Sequence, residues 1–220
     1  MRIAKTRKSA SMSKVHIVNH PLVQHKLSHM RKEETPSLGF RRLLKELSWL
    51  LAYEATKSLA TKKKTVETPL CKASVPFLKE KHPAIVSILR AGNGLLDGFL
   101  EIMPCSKVGF IGLQREEKAK KIIEYYCKLP HDLTKREVFV LDPMLATGKS
   151  GAVALDRVKE HKPMKITFVC LLASQEGVNF LQNQHPDVEI FTAAVDQELN
   201  EQAYIVPGLG DAGDRIYGTN

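Results

Sequence analysis

Val138-Phe139-Val140-Leu141-Asp142-Pro143-Met144-Leu145-Ala146-Thr147-Gly148-Lys149-Ser150 decides the fold. Four apolar residues make a buried strand that stops at an acid. A short loop follows, and Thr-Gly-Lys-Ser opens a helix that runs over Ser150–Glu160. Backbone N–H groups at a helix start, joined by the Thr147 and Ser150 hydroxyls, form a cradle for an anion such as phosphate. Asp142, at the strand tip, is placed for ribose hydroxyls or for a metal. The bland alternative is a capped helix after a buried strand. A Walker A loop would need a glycine five positions before the Gly-Lys pair. That position holds Pro143, so this reading fails.

Outward from this stretch the same alternation repeats. Ala84–Leu89, Val108–Leu113, Ile166–Leu172 and Val188–Ala193 read as strands, and Leu95–Met103 and Gln175–Asn183 as helices between them. Strands alternating with helical crossovers predict an α/β fold with a central parallel sheet covered on both faces. In such sheets ligands bind beyond the carboxyl ends of the strands. The chemistry is therefore expected from Arg90, Gln114, Asp142 and Ala173 onward.

Upstream, Thr35-Pro36-Ser37 reads as a helix start with a capping hydroxyl and a proline in the first turn. Phe40, Leu43, Leu44, Leu47, Leu50 and Leu51 then recur at helical spacing, predicting a helix to about Leu59. Thr61 to Thr68, with Lys62-Lys63-Lys64, reads as an exposed turn. Residues 15–34 read as an amphipathic segment with Val15, Ile17, Leu22, Val23 and Leu27 inward. A metal held by His25 and His29 is the rival there, but no carboxylate or cysteine nearby completes a ligand set.

The chain has 220 residues, which suits one domain. No apolar run approaches the ~18 residues needed to cross a bilayer, and the start lacks the apolar stretch of a secretory signal. Four scattered cysteines, without a CxxC pair, read as thiols in a reducing cytosol. The formal net charge is +9, and Arg2, Lys5, Arg7, Lys8 and Lys14 precede Val15 with no acid among them. Residues 1–14 therefore read as a basic flexible tail before a single domain over 15–220. An upstream start before Met12 and an organelle transit peptide are the alternatives for that tail. A basic balance suits nucleic acid or a polyphosphate substrate without choosing between them.

Val140-Leu-Asp-Pro-Met-Leu-Ala-Thr-Gly148 resembles the loop that holds phosphoribosyl pyrophosphate (PRPP) in the uracil phosphoribosyltransferases. Ile88-Leu-Arg90-Ala-Gly92 is similar to that family's pyrophosphate-contacting loop. Arg115, Glu124-Tyr-Tyr and Lys128-Leu-Pro130 resemble its mobile arm. His20-Pro-Leu-Val, Leu51-Ala-Tyr-Glu-Ala-Thr56, His185-Pro-Asp-Val and Asn200-Glu agree in order. The ending from Tyr204 to Thr219, Tyr-Ile-Val-Pro-Gly-Leu-Gly-Asp-Ala-Gly-Asp-Arg-Ile-Tyr-Gly-Thr, is the most specific match and points to uracil. The resemblance covers about residues 15 to 220.

The resemblance implies a type I phosphoribosyltransferase fold: a central parallel sheet flanked by helices, an N-terminal helical segment, a protruding arm and a C-terminal hood over the base. It implies that uracil and PRPP give UMP and diphosphate in pyrimidine salvage. Arg90, Arg115, Asp142 and Asp211 would be the catalytic groups. The two arginines suit pyrophosphate oxygens. Pro143, Met144, Leu145, Ala146, Thr147, Gly148, Lys149 and Ser150 would hold PRPP, together with Asp211. Ile205, Gly210, Asp211 and Ala212 would read uracil. Mg²⁺ would ride mainly on PRPP, oriented by Asp142 and Asp211 directly or through water. A homodimer or larger assembly, cytoplasmic residence and, in some members, activation by GTP are further implications. No membrane and no nucleic acid are expected.

Two features depart from pattern. The family usually has a second glycine where Lys149 stands; its side chain either faces solvent or reaches the 5′-phosphate. Most enzymes of this fold class carry paired acids at the strand tip, whereas this chain has Asp142-Pro143, as uracil enzymes do. The lysine-rich stretch Glu116 to Ile123, with Lys118, Lys120 and Lys121, reads as a charged lid or as a solvated hairpin. Rival functions are an RNA-binding regulator of the same fold, a transferase for another base and an inactive homologue. The absence of an aromatic-basic RNA motif, the uracil-like ending and the intact Arg90, Asp142, Thr147 and Asp211 weigh against them in turn.

Overall fold

The computed structural model describes residues 14–116 and 121–219. In chain order the elements are β1 (Val15–Ile17), α1 (Pro21–Arg31), α2 (Ser37–Thr56), β2 (Thr61–Glu67), β3 (Lys72–Leu78), β4 (Ala84–Leu89) and α3 (Asn93–Ile102). They continue with β5 (Lys107–Glu116), β6 (Lys121–Lys128), β7 (Glu137–Leu141), β8 (Met144–Leu145), α4 (Lys149–Glu160), β9 (Lys165–Val169) and β10 (Leu172–Ser174). The last are α5 (Gln175–Gln184), β11 (Glu189–Thr192), β12 (Ala194–Asp196), β13 (Glu198–Leu199), β14 (Ile205–Val206) and α6 (Ala212–Tyr217).

Among the described residues, seven strands form the main sheet in the order β1-β11-β9-β7-β4-β5-β6. All neighbours run parallel except β5 and β6, which form an antiparallel hairpin. Chain direction reverses around β4. The chain steps to β5 on one side, then returns to β7 on the other. That reversal opens a crevice at the carboxyl ends of β4 and β7.

Period-two alternation sends successive side chains of these strands to opposite faces. Ile85, Phe139 and Leu141 join Leu44, Leu47 and Phe99 under α1, α2 and α3. Val86, Val138 and Val140 join Phe168, Leu155 and Val158 under α4 and α5. A fully buried side chain of this size contributes roughly 1.5–3 kcal/mol relative to exposure, so the two cores fix the crevice floor rigidly.

Several boundaries differ from the sequence expectations. Thr61–Glu67 is not a turn but β2, paired in register with β3, and Thr68 lies in the turn between them. The one-residue alternation that betrays a strand is missing because β2 is exposed along nearly all its length. Val15–Ile17 is a strand, and Ile17 and Leu22 are exposed rather than inward, while Val23, Leu27 and Met30 are buried. The Thr35 hydroxyl does not cap α2; it donates to the His29 carbonyl at 2.6 Å, and α2 starts without a side-chain cap. That helix ends at Thr56, short of Leu59. The strand expected over Ile166–Leu172 breaks after Val169. Leu171 and Leu172 turn their N–H groups to the Pro143 carbonyl at 2.9 and 3.0 Å. The chain then resumes as β10 in a small parallel sheet, β12-β10-β8. His25 and His29 meet edge to face, 4.6 Å between ring centres. Among the described residues no group of three His, Cys, Asp or Glu could hold a metal ion. Nor, among them, is any helix long and apolar enough to cross a membrane. The basic tail lies outside the described residues except for Lys14, as do Lys118 and Lys120 of the arm.

Candidate active site

Four stretches from distant parts of the chain meet at the crevice. The first leaves β4. Gly92 packs so closely across the strand ends that a Cβ there would lie 2.5 Å from the Ile88 oxygen and 2.6 Å from the Leu141 oxygen. Only glycine lets this loop fold back over both strands. The fold-back is secured by buried Ser87, which donates to Asn93 Oδ1 at 2.8 Å. The loop presents Arg90, joined to Leu89 by a cis peptide bond. The Arg90 side chain is exposed to the cleft. Its Nη2 lies 3.5 Å from Asp214 Oδ1, and its guanidinium sits 5.7 Å from the centre of the Tyr217 ring.

The second stretch leaves β7. Asp142 stands at the strand tip, where its carboxylate accepts the Met144 N–H at 3.3 Å. Loss of solvent pushes this acid up to about 7. The Met144 N–H opposes that rise and the nearby Asp211 carboxylate adds to it. Gly148 takes the left-handed conformation, φ 78°, and α4 begins at the next residue with no side-chain cap. Ser174 donates to the Ala146 carbonyl at 2.6 Å and accepts the Gly177 N–H at 2.8 Å, pinning the loop against α5. The first N–H groups of α4 thus carry no side-chain cap, an arrangement that suits an anion.

The third stretch is the arm. Arg115 lies on β5 opposite Ile122, and the ladder shifts register between Gly112 and Leu113. Such bulges bend a hairpin. The fourth stretch is the hood, running from Glu201 into α6. Asn200 Oδ1 accepts the Gln202 and Tyr204 N–H groups at 3.1 and 2.8 Å and turns the chain over the crevice. Asp211 caps α6 by accepting the Asp214 N–H at 2.9 Å.

Together these stretches enclose a cleft of about 710 Å³. Of the residues singled out from sequence, Arg90, Asp142, Met144, Ala146, Ser150, Ile205, Gly210, Asp211 and Ala212 line it. Pro143 and Leu145 are buried beneath it, Thr147 is half-buried in the loop, Gly148 lies behind it against Phe180, and Lys149 is exposed at the first helical turn. Sequence reasoning missed Leu113 and the Gln202-Ala203 turn, which also line the cleft. The signal was the Asn200 that nucleates the turn. It also missed the anchors of the hood. Arg215 donates to the Met30 carbonyl at 2.6 Å and the Leu209 carbonyl at 2.9 Å.

A family model described as uracil phosphoribosyltransferase matches residues 17–219. A uracil phosphoribosyltransferase of Legionella pneumophila is 54% identical over 94% of this chain and 97% of its own. One from Acidovorax ebreus is 53% identical over 94% of this chain and 100% of its own. Among solved structures, the AQ2163 protein from Aquifex aeolicus superposes with a TM-score of 0.89. It is 40% identical, and the match covers 94% of this chain and 99% of that one.

Proposed function

The chain belongs to the uracil phosphoribosyltransferase family, and on that premise we propose how its cleft divides the work. The reaction transfers the phosphoribosyl group of PRPP to uracil, giving UMP and diphosphate in pyrimidine salvage. A bond forms between uracil N1 and ribose C1, the bond from C1 to the diphosphate oxygen breaks, and the N1 proton is lost. Positive charge grows on the sugar while negative charge grows on the leaving group, so positioning and electrostatics dominate.

The observation that carries this reading is that Arg90, Asp142, Ser150 and Asp211 line one cleft. Arg90 and Arg115 take diphosphate oxygens as charge accumulates there. The loop Pro143–Ser150 holds the 5′-phosphate on free N–H groups, and Asp142 orients the ribose hydroxyls. Backbone N–H groups from Gly210 to Ala212 meet the uracil carbonyls, and the Ile205 carbonyl accepts its N3–H. Cytosine leaves those groups mismatched, which discriminates by factors of about 10⁴.

Asp142 and Asp211 offer hard oxygen donors facing one cleft, and among the described residues no larger ligand set exists. That fits Mg²⁺ bound chiefly through substrate phosphates rather than in a protein cage. When bound, the ion neutralises diphosphate charge. A homodimer or larger assembly, GTP as an effector and a cytoplasmic setting complete the proposal, on family resemblance.

The test is to supply PRPP and Mg²⁺ with uracil, cytosine, orotate, hypoxanthine or adenine, and separate the products by chromatography. UMP from uracil alone is expected. No UMP from folded protein, even with GTP added, would overturn the enzyme reading.

A further inference from the structure

We infer that Arg31 and Asp196 form a positioning pair that sets the shape of the base pocket and thereby its selectivity for uracil. This inference rests on the reading that Ile205 and Gly210–Ala212 bind the base.

Arg31 ends α1 and Asp196 ends β12; they stand 165 residues apart in the chain. The guanidinium grips the carboxylate with two bonds, Nη1 to Oδ2 at 2.7 Å and Nη2 to Oδ1 at 2.8 Å. Asp196 is 9% exposed. Neither residue lines the cleft. Both instead hold the same backbone unit. Arg31 Nη1 donates to the Gly208 carbonyl at 2.8 Å, and the Gly208 N–H donates to Asp196 Oδ2 at 3.0 Å.

Gly208 has a left-handed backbone, φ 59°. A Cβ on it would fall 1.9 Å from the Ile205 oxygen. Gly208 therefore packs directly against the carbonyl assigned to uracil N3–H, at a distance that no side chain would allow. Two residues further on, Gly210 begins the N–H groups assigned to the uracil carbonyls. Turning the Gly208 unit would move both sides of the recognition edge.

A need for stability alone does not explain a paired charge here. A buried ion pair is often matched or bettered by apolar residues of similar volume, and Val23, Leu27 and Met30 already bury the inner face of α1. What an apolar pair cannot do is hold both the N–H and the C=O of Gly208, and so the two peptide groups that meet at its Cα. Fixing those two peptide groups sets the spacing between the Ile205 carbonyl and the Gly210–Ala212 N–H groups, on which reading an acceptor–donor–acceptor edge depends.

The experiment uses Arg31→Lys, which loses the fork, and Asp196→Asn, which keeps the shape but puts a donor opposite the arginine. Steady-state kinetics give KM for uracil and for PRPP separately, with cytosine turnover alongside. The expected result is a rise of about tenfold in KM for uracil, PRPP KM within about twofold, and a narrower preference over cytosine. A lower Tm with the ratio of the two KM values unmoved would make the pair structural only and overturn the inference.

Ala212→Val, inside the cleft, separates the two levels. If it leaves uracil KM unchanged, the base-site reading itself falls. If it raises uracil KM while Arg31→Lys and Asp196→Asn do not, the inference alone falls. Should both pair variants fail to fold, hydrogen exchange on the wild-type protein decides. A Gly208 amide already protected without ligand is expected; one that becomes protected only when uracil and PRPP bind would refute a preset loop.

Discussion

The Tyr217 hydroxyl donates to the Arg90 backbone oxygen at 3.0 Å while the same ring lies under the Arg90 guanidinium. One side chain from α6 thus holds both ends of the arginine proposed to receive diphosphate. Tyr217→Phe removes the hydrogen bond and keeps the ring, so a rise of about two- to fivefold in KM for PRPP is expected. Tyr217→Ala removes both supports and should cost about tenfold or more. Uracil KM should stay unchanged in each. Kinetics at saturating uracil check this, and equal effects on both substrates would refute the role.

Asp142 carries a direct pH prediction. Its acid is raised from the ordinary ~3.9 to about 7 by loss of solvent. Between those values the folded protein holds a proton that the unfolded chain has released. Stability therefore falls as pH rises through that window and levels off above about 7. Asp142→Asn removes the penalty. Its Tm should exceed wild type at pH 8, by ~2–4 °C for each ~1 kcal/mol gained, and match it below about pH 4. Thermal melts across pH measure the difference. In kinetics, kcat/KM for PRPP should rise through about pH 7 in the wild type and lose that limb in Asp142→Asn.

Lys149 sits in the first turn of α4 with no acid in that turn. A cation there opposes the helix dipole, a mismatch that a bound phosphate would reverse. Lys149→Gly is expected to raise KM for PRPP by roughly three- to tenfold with little change in kcat. Isothermal titration with PRPP gives the same comparison at equilibrium. Unchanged binding would assign the side chain to solvent.

Gly92 is a steric prediction. Alanine there would drive a methyl against two strand-end carbonyls, at a cost of about 2 kcal/mol or more. Denaturant unfolding should register that loss even in the absence of any substrate.

What could be read from the chain obeyed a physical rule. Ala84–Leu89 and Val138–Leu141 were legible because buried parallel strands are continuous apolar runs, and Asp142 was legible because it ends one abruptly. β2 was not, since Lys62, Lys63 and Lys64 face solvent and carry no periodic signal. The break after Val169 was hidden because Cys170, Leu171 and Leu172 remain buried on both sides of the bend. Of the site, the residues on consecutive loops were visible and their supports were not. Arg31, Asp196, Arg215 and Tyr217 matter through partners that only the folded topology brings near.

The hood has a consequence for how activity arises during synthesis. Chains emerge from the ribosome amino end first. The main-sheet strands, the phosphate loop and Arg90 all precede Ile205, whereas the surfaces assigned to the base begin with it, and the Tyr217 that steadies Arg90 comes later. A nascent chain halted before Ile205 can carry every strand of the main sheet and still lack a place for uracil. Uracil turnover is thus expected only once α6 has closed onto α2.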